Sequence, residues 1–263
     1  MSDPSPPLGY ISPDHLEQIA QGVDHIKEHS RELMQLAPGH RVLDVGCGPG
    51  IDTLALAQEV GPTGEVLGID YDAQMIARAN QRAQEAGVQS WVCHLQLDAT
   101  ALPFDDNSFH SCRSDRVFQH LSDPERALDE MIRVTRPGGW IVLADPDQGT
   151  ASIDTPHVEI ERTLMRLRAE QMFNNGFAGR QHHGALVRRG LEEISMELYP
   201  LVNTDYGLLR QLDVIDRTEQ HAMDTGVLNA EDIARWHQSL RQADEDGTFY
   251  GVVLLVLVAG RKA

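Results

Sequence analysis

The chain is poor in cysteine, in aromatic residues and in positive charge. Its 263 residues hold three cysteines, Cys47, Cys93 and Cys112. None forms a C-x-x-C pair, which removes the usual zinc frameworks and a disulfide scaffold and fits a reducing, cytoplasmic setting. Lysine and arginine number 22 against 40 aspartates and glutamates, a formal net charge of -18. Nucleic acids and anionic membranes are bound mainly by fields of Lys and Arg, so neither partner is expected. A small anion could still find a local basic pocket. Aromatic residues make up 5% of the chain and give few clues to a stacked substrate. The longest apolar run, Val252 to Ala259, is too short to span a bilayer and reads as a buried strand. Met1 to Tyr10 is polar and rich in Pro and Ser, with no apolar signal core.

What remains is ordinary for a globular protein: 41% hydrophobic and 24% charged residues. The length suits one large domain carrying a cap. Ser12-Pro13-Asp14 has the form of a helix start, with helix expected to about Leu36 and Ala37-Pro38-Gly39-His40 ending it. Strands are expected over Arg41–Val45, Glu65–Ile69, Trp91–Leu97, Phe109–Arg113 and Trp140–Ala144. Helices over Asp52–Val60, Asp72–Ala86 and Pro124–Thr135 separate them. This alternation predicts an α/β fold, a mostly parallel sheet with helices on both faces.

After Asp145 the rhythm breaks. Helices are expected over Pro156–Asn174, Gly184–Glu193, Tyr206–Met223 and Asn229–Gln242, with strands over Met196–Asn203 and Gly251–Ala259. Ligands of open α/β sheets bind beyond the carboxyl ends of the strands. The segment after Ala144 leaves from such an end. Residues 1–36 and the insertions at about 147–180 and 205–247 are therefore expected to form a helical lid on a domain of residues 37–263.

The chemistry concentrates in one loop, Asp44-Val45-Gly46-Cys47-Gly48-Pro49-Gly50, between a strand and a helix. Its glycines let backbone approach a ligand closely. A dinucleotide fingerprint would put a small residue at position 51, where this chain has Ile51. Asp44 at the mouth of the loop would repel a pyrophosphate but suit a cationic methionine portion. Asp70 ends the second strand about 20 residues later, where an acid binds ribose hydroxyls in nucleotide-binding folds.

Four stretches, in this order, carry a resemblance. Val42 to Gly50 looks like motif I of class I S-adenosylmethionine (SAM)-dependent methyltransferases, and Gly68 to Met75 like the acidic motif that follows it. Leu97-Asp98-Ala99 with Leu102 to Phe109 is similar to the third-strand motif, and Arg136-Pro137-Gly138-Gly139 to the turn before the fifth strand. Residues 30–146 thus resemble the ubiquinone/menaquinone biosynthesis methyltransferase-like branch of small-molecule enzymes. The resemblance implies a Rossmann-like seven-stranded sheet with SAM as cofactor and a small metabolite, plausible in secondary metabolism, as substrate. It implies that Asp44, Gly46, Cys47 and Gly48 line the methionine portion. Asp70 would take the ribose hydroxyls and Tyr71 would pack on adenine. Asp98 would accept from the adenine amino group, with the backbone of Ala99 beside it. Ser114 would close the pocket and Arg116 would reach the methionine carboxylate. His110 stands where this branch often has Asp.

Methyl transfer asks the protein to align a nucleophile, exclude water and remove a proton where the nucleophile carries one. His120, just beyond the fourth strand, is the first candidate base, weighed evenly against a structural role. Asp145, with Asp147 after the fifth strand, is the second. His25 and His29 have helical i, i+4 spacing but no third ligand, and no metal is expected. Arg180, His182, His183, Arg188 and Arg189 form a basic island that is either a solvated face or a holder for an acidic substrate group. Two other readings stay open on residues alone: a NAD-dependent oxidoreductase, and a non-catalytic SAM-binding partner protein.

Overall fold

The computed structural model describes residues 24–212 and 215–263. The expected helix start at Ser12 lies outside the described residues. The elements run α1 (Asp24–Glu32), β1 (Arg41–Val45), α2 (Ile51–Val60), β2 (Glu65–Asp70), α3 (Ala73–Glu85), β3 (Val92–Gln96) and β4 (Phe109–Asp115). A 3-10 turn (Phe118–His120), α4 (Pro124–Val134), β5 (Thr135–Ile153), α5 (Val158–Gln171), α6 (Ala178–Arg188) and β6 (Glu192–Asn203) follow. The chain ends with α7 (Tyr206–Leu212), α8 (Ile215–Asp224), α9 (Ala230–Glu245) and β7 (Gly251–Arg261).

The seven strands form one sheet in the order β3-β2-β1-β4-β5-β7-β6. Neighbours from β3 to β5 pair in parallel, and β7 runs antiparallel between β5 and β6. Strands buried on both faces read as apolar runs, with successive side chains going to opposite sides. Leu43, Leu67, Ile141, Leu143, Val256 and Val258 join α4 and α6 on one face. Their immediate neighbours Val42, Val66, Val142, Leu255 and Leu257 join α1 and α2 on the other. Asp72 caps α3 by accepting the Gln74 N–H at 2.7 Å, and Asp123 caps α4 ahead of Pro124. Asn229 and Asp232 close a capping box on α9.

Several boundaries differ from the sequence expectation, and β5 begins at Thr135, ahead of the expected Trp140. Strand β5 runs on past Ala144: after a register shift between Asp147 and Ser152 it still pairs Ile153 with Gly251, so the insertion leaves nine residues later than the apolar run ends. Helix α6 starts at Ala178 instead of Gly184, because Gly179 lets it press onto β5: a Cβ there would lie 2.6 Å from the Asp145 carbonyl oxygen. Strand β6 starts at Glu192, where Arg261 pairs with Glu192 and Glu193 across the strands. The helix expected over Tyr206–Met223 is two helices, α7 and α8.

Helices α5, α7, α8 and α9 share a core of their own, with Leu164, Ile215, Ala222, Trp236 and Leu240 packed against Ala151 and Ile153 of the extended β5. The two insertions therefore form one helical body on the arm that β5 and β7 make beyond the carboxyl edge. Helix α1 instead covers a sheet face, through Ile26.

Candidate functional site

The glycine loop is tied to the end of β2. The N–H groups of Gly46 and Cys47 both donate to the Ile69 carbonyl, at 2.8 and 2.9 Å. Gly46, Gly48 and Gly50 all have positive φ, a region costly to other residues. Gly46 also has no room: an added Cβ would lie 2.1 Å from Val117 Cγ2. At Gly48 an added Cβ would meet nothing within 4 Å. The loop is thus packed at its root and open at its tip.

Asp70 sits at that tip. Its Oδ2 accepts the Gly48 N–H and its Oδ1 the Asp72 N–H, each at 2.9 Å. A carboxylate has about four acceptor positions, so two such bonds orient it and leave capacity for hydroxyl donors. Burial raises the Asp70 pKa, and the bonds from Asp72 and Gly48 oppose that shift. Tyr71 is 77% exposed and its carbonyl accepts from Gln96 Nε2 at 3.0 Å. Asp98 is exposed on the next strand's loop, with Oδ1 accepting from both the N–H and the hydroxyl of Thr100. Ala99 beside it is buried.

Below the loop the structure assembles charges that the sequence reading did not connect. Asp44 is buried, with Oδ1 3.9 Å from Nε of Arg113. Arg113, 1% exposed, also lies 3.3 Å from Asp52 and 3.1 Å from Asp115. Lys27 of α1 reaches the same Asp52 at 3.0 Å, and Arg116 pairs with Asp115 at 2.9 Å. Burial pushes the Asp44 pKa up to about 7 against the pull of Arg113. Asp52 is half-buried, and Arg113 and Lys27 hold it below the usual carboxylate range. The available signal was Arg113 itself, a charged residue inside an otherwise buried strand, which demands buried partners.

Cys47 is buried, and burial, reinforced by Asp44 and Asp70, holds its thiol well above its usual pKa. It fills the space beside Gly68, where a Cβ would come 2.8 Å from its sulfur. Ser114 is also buried; its hydroxyl donates to the Val45 carbonyl at 3.1 Å, stitching β4 to β1. Arg116 has positive φ, and its N–H donates to the Ala144 carbonyl at 2.6 Å.

His120 ends the turn after β4, half-buried, with its ring 5.7 Å from that of Phe173. Asp145 stands differently from the sequence expectation of a second base. It is 0% exposed, its Oδ1 accepts the Gln119 N–H at 3.1 Å, and its Oδ2 lies 3.0 Å from His182 Nε2. A carboxylate so enclosed has no path to a substrate proton. Asp147 is occupied too, by Arg180 at 2.6 Å and the Gly149 N–H.

The basic island dissolves into pairs: His182 faces inward to Asp145, while Arg188 and Arg189 pair with Glu125, and Arg189 also with Asp129, all of α4. His29 bonds Glu32 and Glu197, and His25 meets the Tyr199 ring. Among the described residues no group of three or more His, Cys, Asp or Glu is arranged to hold a metal. Among them, too, no helix is long and apolar enough to cross a membrane.

A methyltransferase-domain family profile matches residues 36–200. An uncharacterized 37.1 kDa protein in transposon TN4556 of Streptomyces fradiae is 32% identical over 250 residues, 94% of this chain and 70% of that protein. The chain belongs to the class I SAM-dependent methyltransferases. Over about half of its length it is similar to UbiE-like enzymes. The ubiquinone/menaquinone biosynthesis C-methyltransferase UbiE of Legionella pneumophila is 34% identical over 128 residues, 48% of this chain and 51% of the relative. The chain thus spans about half the length of that curated relative. The solved YcgJ protein of Bacillus subtilis shares the fold, with a TM-score of 0.63 at 23% identity, covering 92% of this chain and 98% of its own.

Membership decides between the cofactors that the glycine loop left open, in favour of SAM. The residues fit it. The loop tip is open at Gly48, acids flank it, and the exposed Tyr71 ring offers an apolar face next to Asp70. The charge argument made from Asp44 alone is weakened, since that carboxylate is shared with Arg113 and burial raises its pKa to about 7.

Proposed function

We propose that this chain transfers the SAM methyl group to an oxygen, nitrogen or carbon nucleophile of a small metabolite. The observation that carries the reading is the bonding of Asp70 to Gly48, which locks the acid of β2 to the open tip of the glycine loop. When bound, SAM supplies a methyl group already activated by its sulfonium. Asp70 holds the ribose hydroxyls, Tyr71 packs on the adenine and Asp98, with the Ala99 backbone, meets the adenine edge. Asp44, Gly46, Cys47 and Gly48 surround the methionine portion; Asp44 faces its ammonium. Arg116 serves the carboxylate, and Ser114 fixes the floor by its bond to Val45.

On the acceptor side, His120 accepts a proton at a ring nitrogen where the nucleophile carries one. Its place on the turn after β4, against Phe173, supports that role. The helical body of α5 and α7 to α9 serves as the lid that selects the metabolite and excludes water; its position beyond the carboxyl edge supports this. The quinone named for the UbiE relative and a secondary metabolite are the two substrate classes to test first. A cytoplasmic setting agrees with three unpaired cysteines.

Calorimetry with S-adenosylhomocysteine tests the cofactor site, and radiolabelled SAM with a metabolite panel tests transfer. Absence of binding by folded protein would sink the reading.

A further inference from the structure

Six buried polar or charged side chains gather where β5 passes beyond Ala144: Gln119, Asp145, Asp147, Gln148, Arg168 and His182. Burying so many polar groups is costly unless each is bonded, and a fully bonded network fixes a single geometry. Most of these bonds converge on one short turn. The Gln119 N–H goes to Asp145 and the Gln119 carbonyl accepts the Asn175 N–H at 3.0 Å. The Gln119 side chain accepts from Gln148 Nε2 at 2.8 Å, while its own Nε2 donates to the Arg116 carbonyl at 3.3 Å. Arg168 of α5 donates to Gln148 from the far side. The His120 carbonyl accepts from Asn174 at 2.7 Å.

Two observations single out Asp145 and His182 as the base of this assembly. First, β5 grips both ends of the turn, through the Ala144 carbonyl at Arg116 and the Asp145 carboxylate at Gln119. Second, α6 is brought against β5 by Gly179, one helical turn before His182. That contact aims His182 Nε2 at Asp145 Oδ2 and sets its ring edge-on to Phe118 at 5.3 Å. His182 is thereby the donor that fixes which way the carboxylate presents its other oxygen to Gln119.

We propose that Asp145 and His182 are a positioning pair that sets the Gln119–His120 turn, so that α6 fixes the orientation of the candidate base. The proposal rests on the acceptor-side reading of His120 for its catalytic meaning. Its structural claim is tested without an acceptor. His182→Leu removes the donor, and His182→Gln returns an N–H at a similar reach. The readouts are the His120 ring chemical shifts by NMR, exchange of the Gln119 amide, and S-adenosylhomocysteine affinity.

The expected result is a slow Gln119 amide in the unaltered protein. His182→Leu moves the His120 ring resonances and speeds that exchange by at least ~10-fold, the loss of about one hydrogen bond's worth of protection. His182→Gln restores both, and cofactor-product affinity stays within about threefold, a change below one hydrogen bond. Unmoved His120 resonances in folded His182→Leu would overturn the proposal. So would a Gln119 amide that exchanges at the free-peptide rate in the unaltered protein, a result that stands even where the Leu variant does not fold. Failure of the unaltered protein to bind S-adenosylhomocysteine is a separate outcome: it removes the cofactor reading and leaves the positioning result to be read from the NMR alone.

Discussion

Asp44 and Arg113 face each other at 3.9 Å beneath the glycine loop, both nearly sealed from solvent. Burying a pair costs more than its attraction returns unless hydrogen bonds complete it. At this distance the pair is a contact of charges and not a hydrogen bond. The apo protein therefore bears a cost for keeping Asp44 there.

That cost has a pH signature. The folded Asp44 has its pKa pushed up by burial to about 7, against an ordinary value of 3.8. Between those values the native state keeps a proton that the unfolded chain has released, so this group makes stability fall as pH rises across that interval. Asp44→Asn abolishes the effect. The melting temperature of the Asn variant relative to the native protein should rise between about pH 4 and pH 8. Its affinity for S-adenosylhomocysteine should drop by at least ~10-fold, the scale of a charge-assisted hydrogen bond. A flat difference in melting temperature across that range would contradict the assignment.

Gly46 and Val117 give a test of packing. A Cβ on Gly46 would overlap Val117 Cγ2 at 2.1 Å, at a positive φ. Gly46→Ala should cost about 2–4 kcal/mol, combining overpacking with left-handed strain. Adding Val117→Ala removes both Cγ atoms and should recover about 1 kcal/mol or more of the overpacking cost. Denaturant titration of the two single variants and the double gives the coupling directly. Additive costs would show that the steric overlap is not what requires glycine.

The sheet and cofactor loop were legible because they rest on local rules. Short apolar runs alternating with helical stretches marked the strands, and Gly46, Gly48 and Asp70 announced themselves by type and spacing. The charges of Lys27, Asp52 and Arg113 were not, since their meeting depends on α1 packing across the sheet from a distant part of the chain. Asp145 illustrates the same limit. Sequence places it at a carboxyl end, where a catalytic acid is expected, but its burial is decided by α6 and Gly179, more than thirty residues on. The start of α6 differs because glycines at 176 and 179 read as breakers, while Gly179 serves close contact.

Lys27 tests whether α1 is latched to the cofactor loop. Its Nζ reaches Asp52 in the first turn of α2 at 3.0 Å. Lys27→Met keeps the apolar stem and leaves Asp52 to Arg113, so the expected loss is about 1–3 kcal/mol, below that of a fully orphaned buried charge. Asp52 is held below its ordinary pKa against burial by Arg113 and Lys27. A depressed carboxylate stabilises above its unfolded pKa and loses that contribution as pH falls through the folded one. The deficit of Lys27→Met should therefore be full at neutral pH and narrow on acidification below the ordinary carboxylate range. Thermal unfolding across that range checks it; a deficit independent of pH would assign the loss to packing alone.

Asp70 and Tyr71 are neighbours with opposite expected signatures. Asp70 is bonded to Gly48 and Asp72 and so belongs to the loop as well as to the proposed ribose site. Asp70→Ala should lower S-adenosylhomocysteine affinity by at least ~10-fold and also lower the melting temperature, because two backbone N–H groups lose their acceptor. Tyr71 is 77% exposed, so its ring has little to lose in the apo protein. Tyr71→Ala should leave the melting temperature unchanged and weaken the same ligand by about 2- to 10-fold, the worth of one aromatic contact. Calorimetry and thermal melts on the two variants separate the roles. An unaltered affinity in Tyr71→Ala would take the ring out of the adenine site, whereas an unaltered affinity in Asp70→Ala would take the ribose role from the acid on which the functional reading stands.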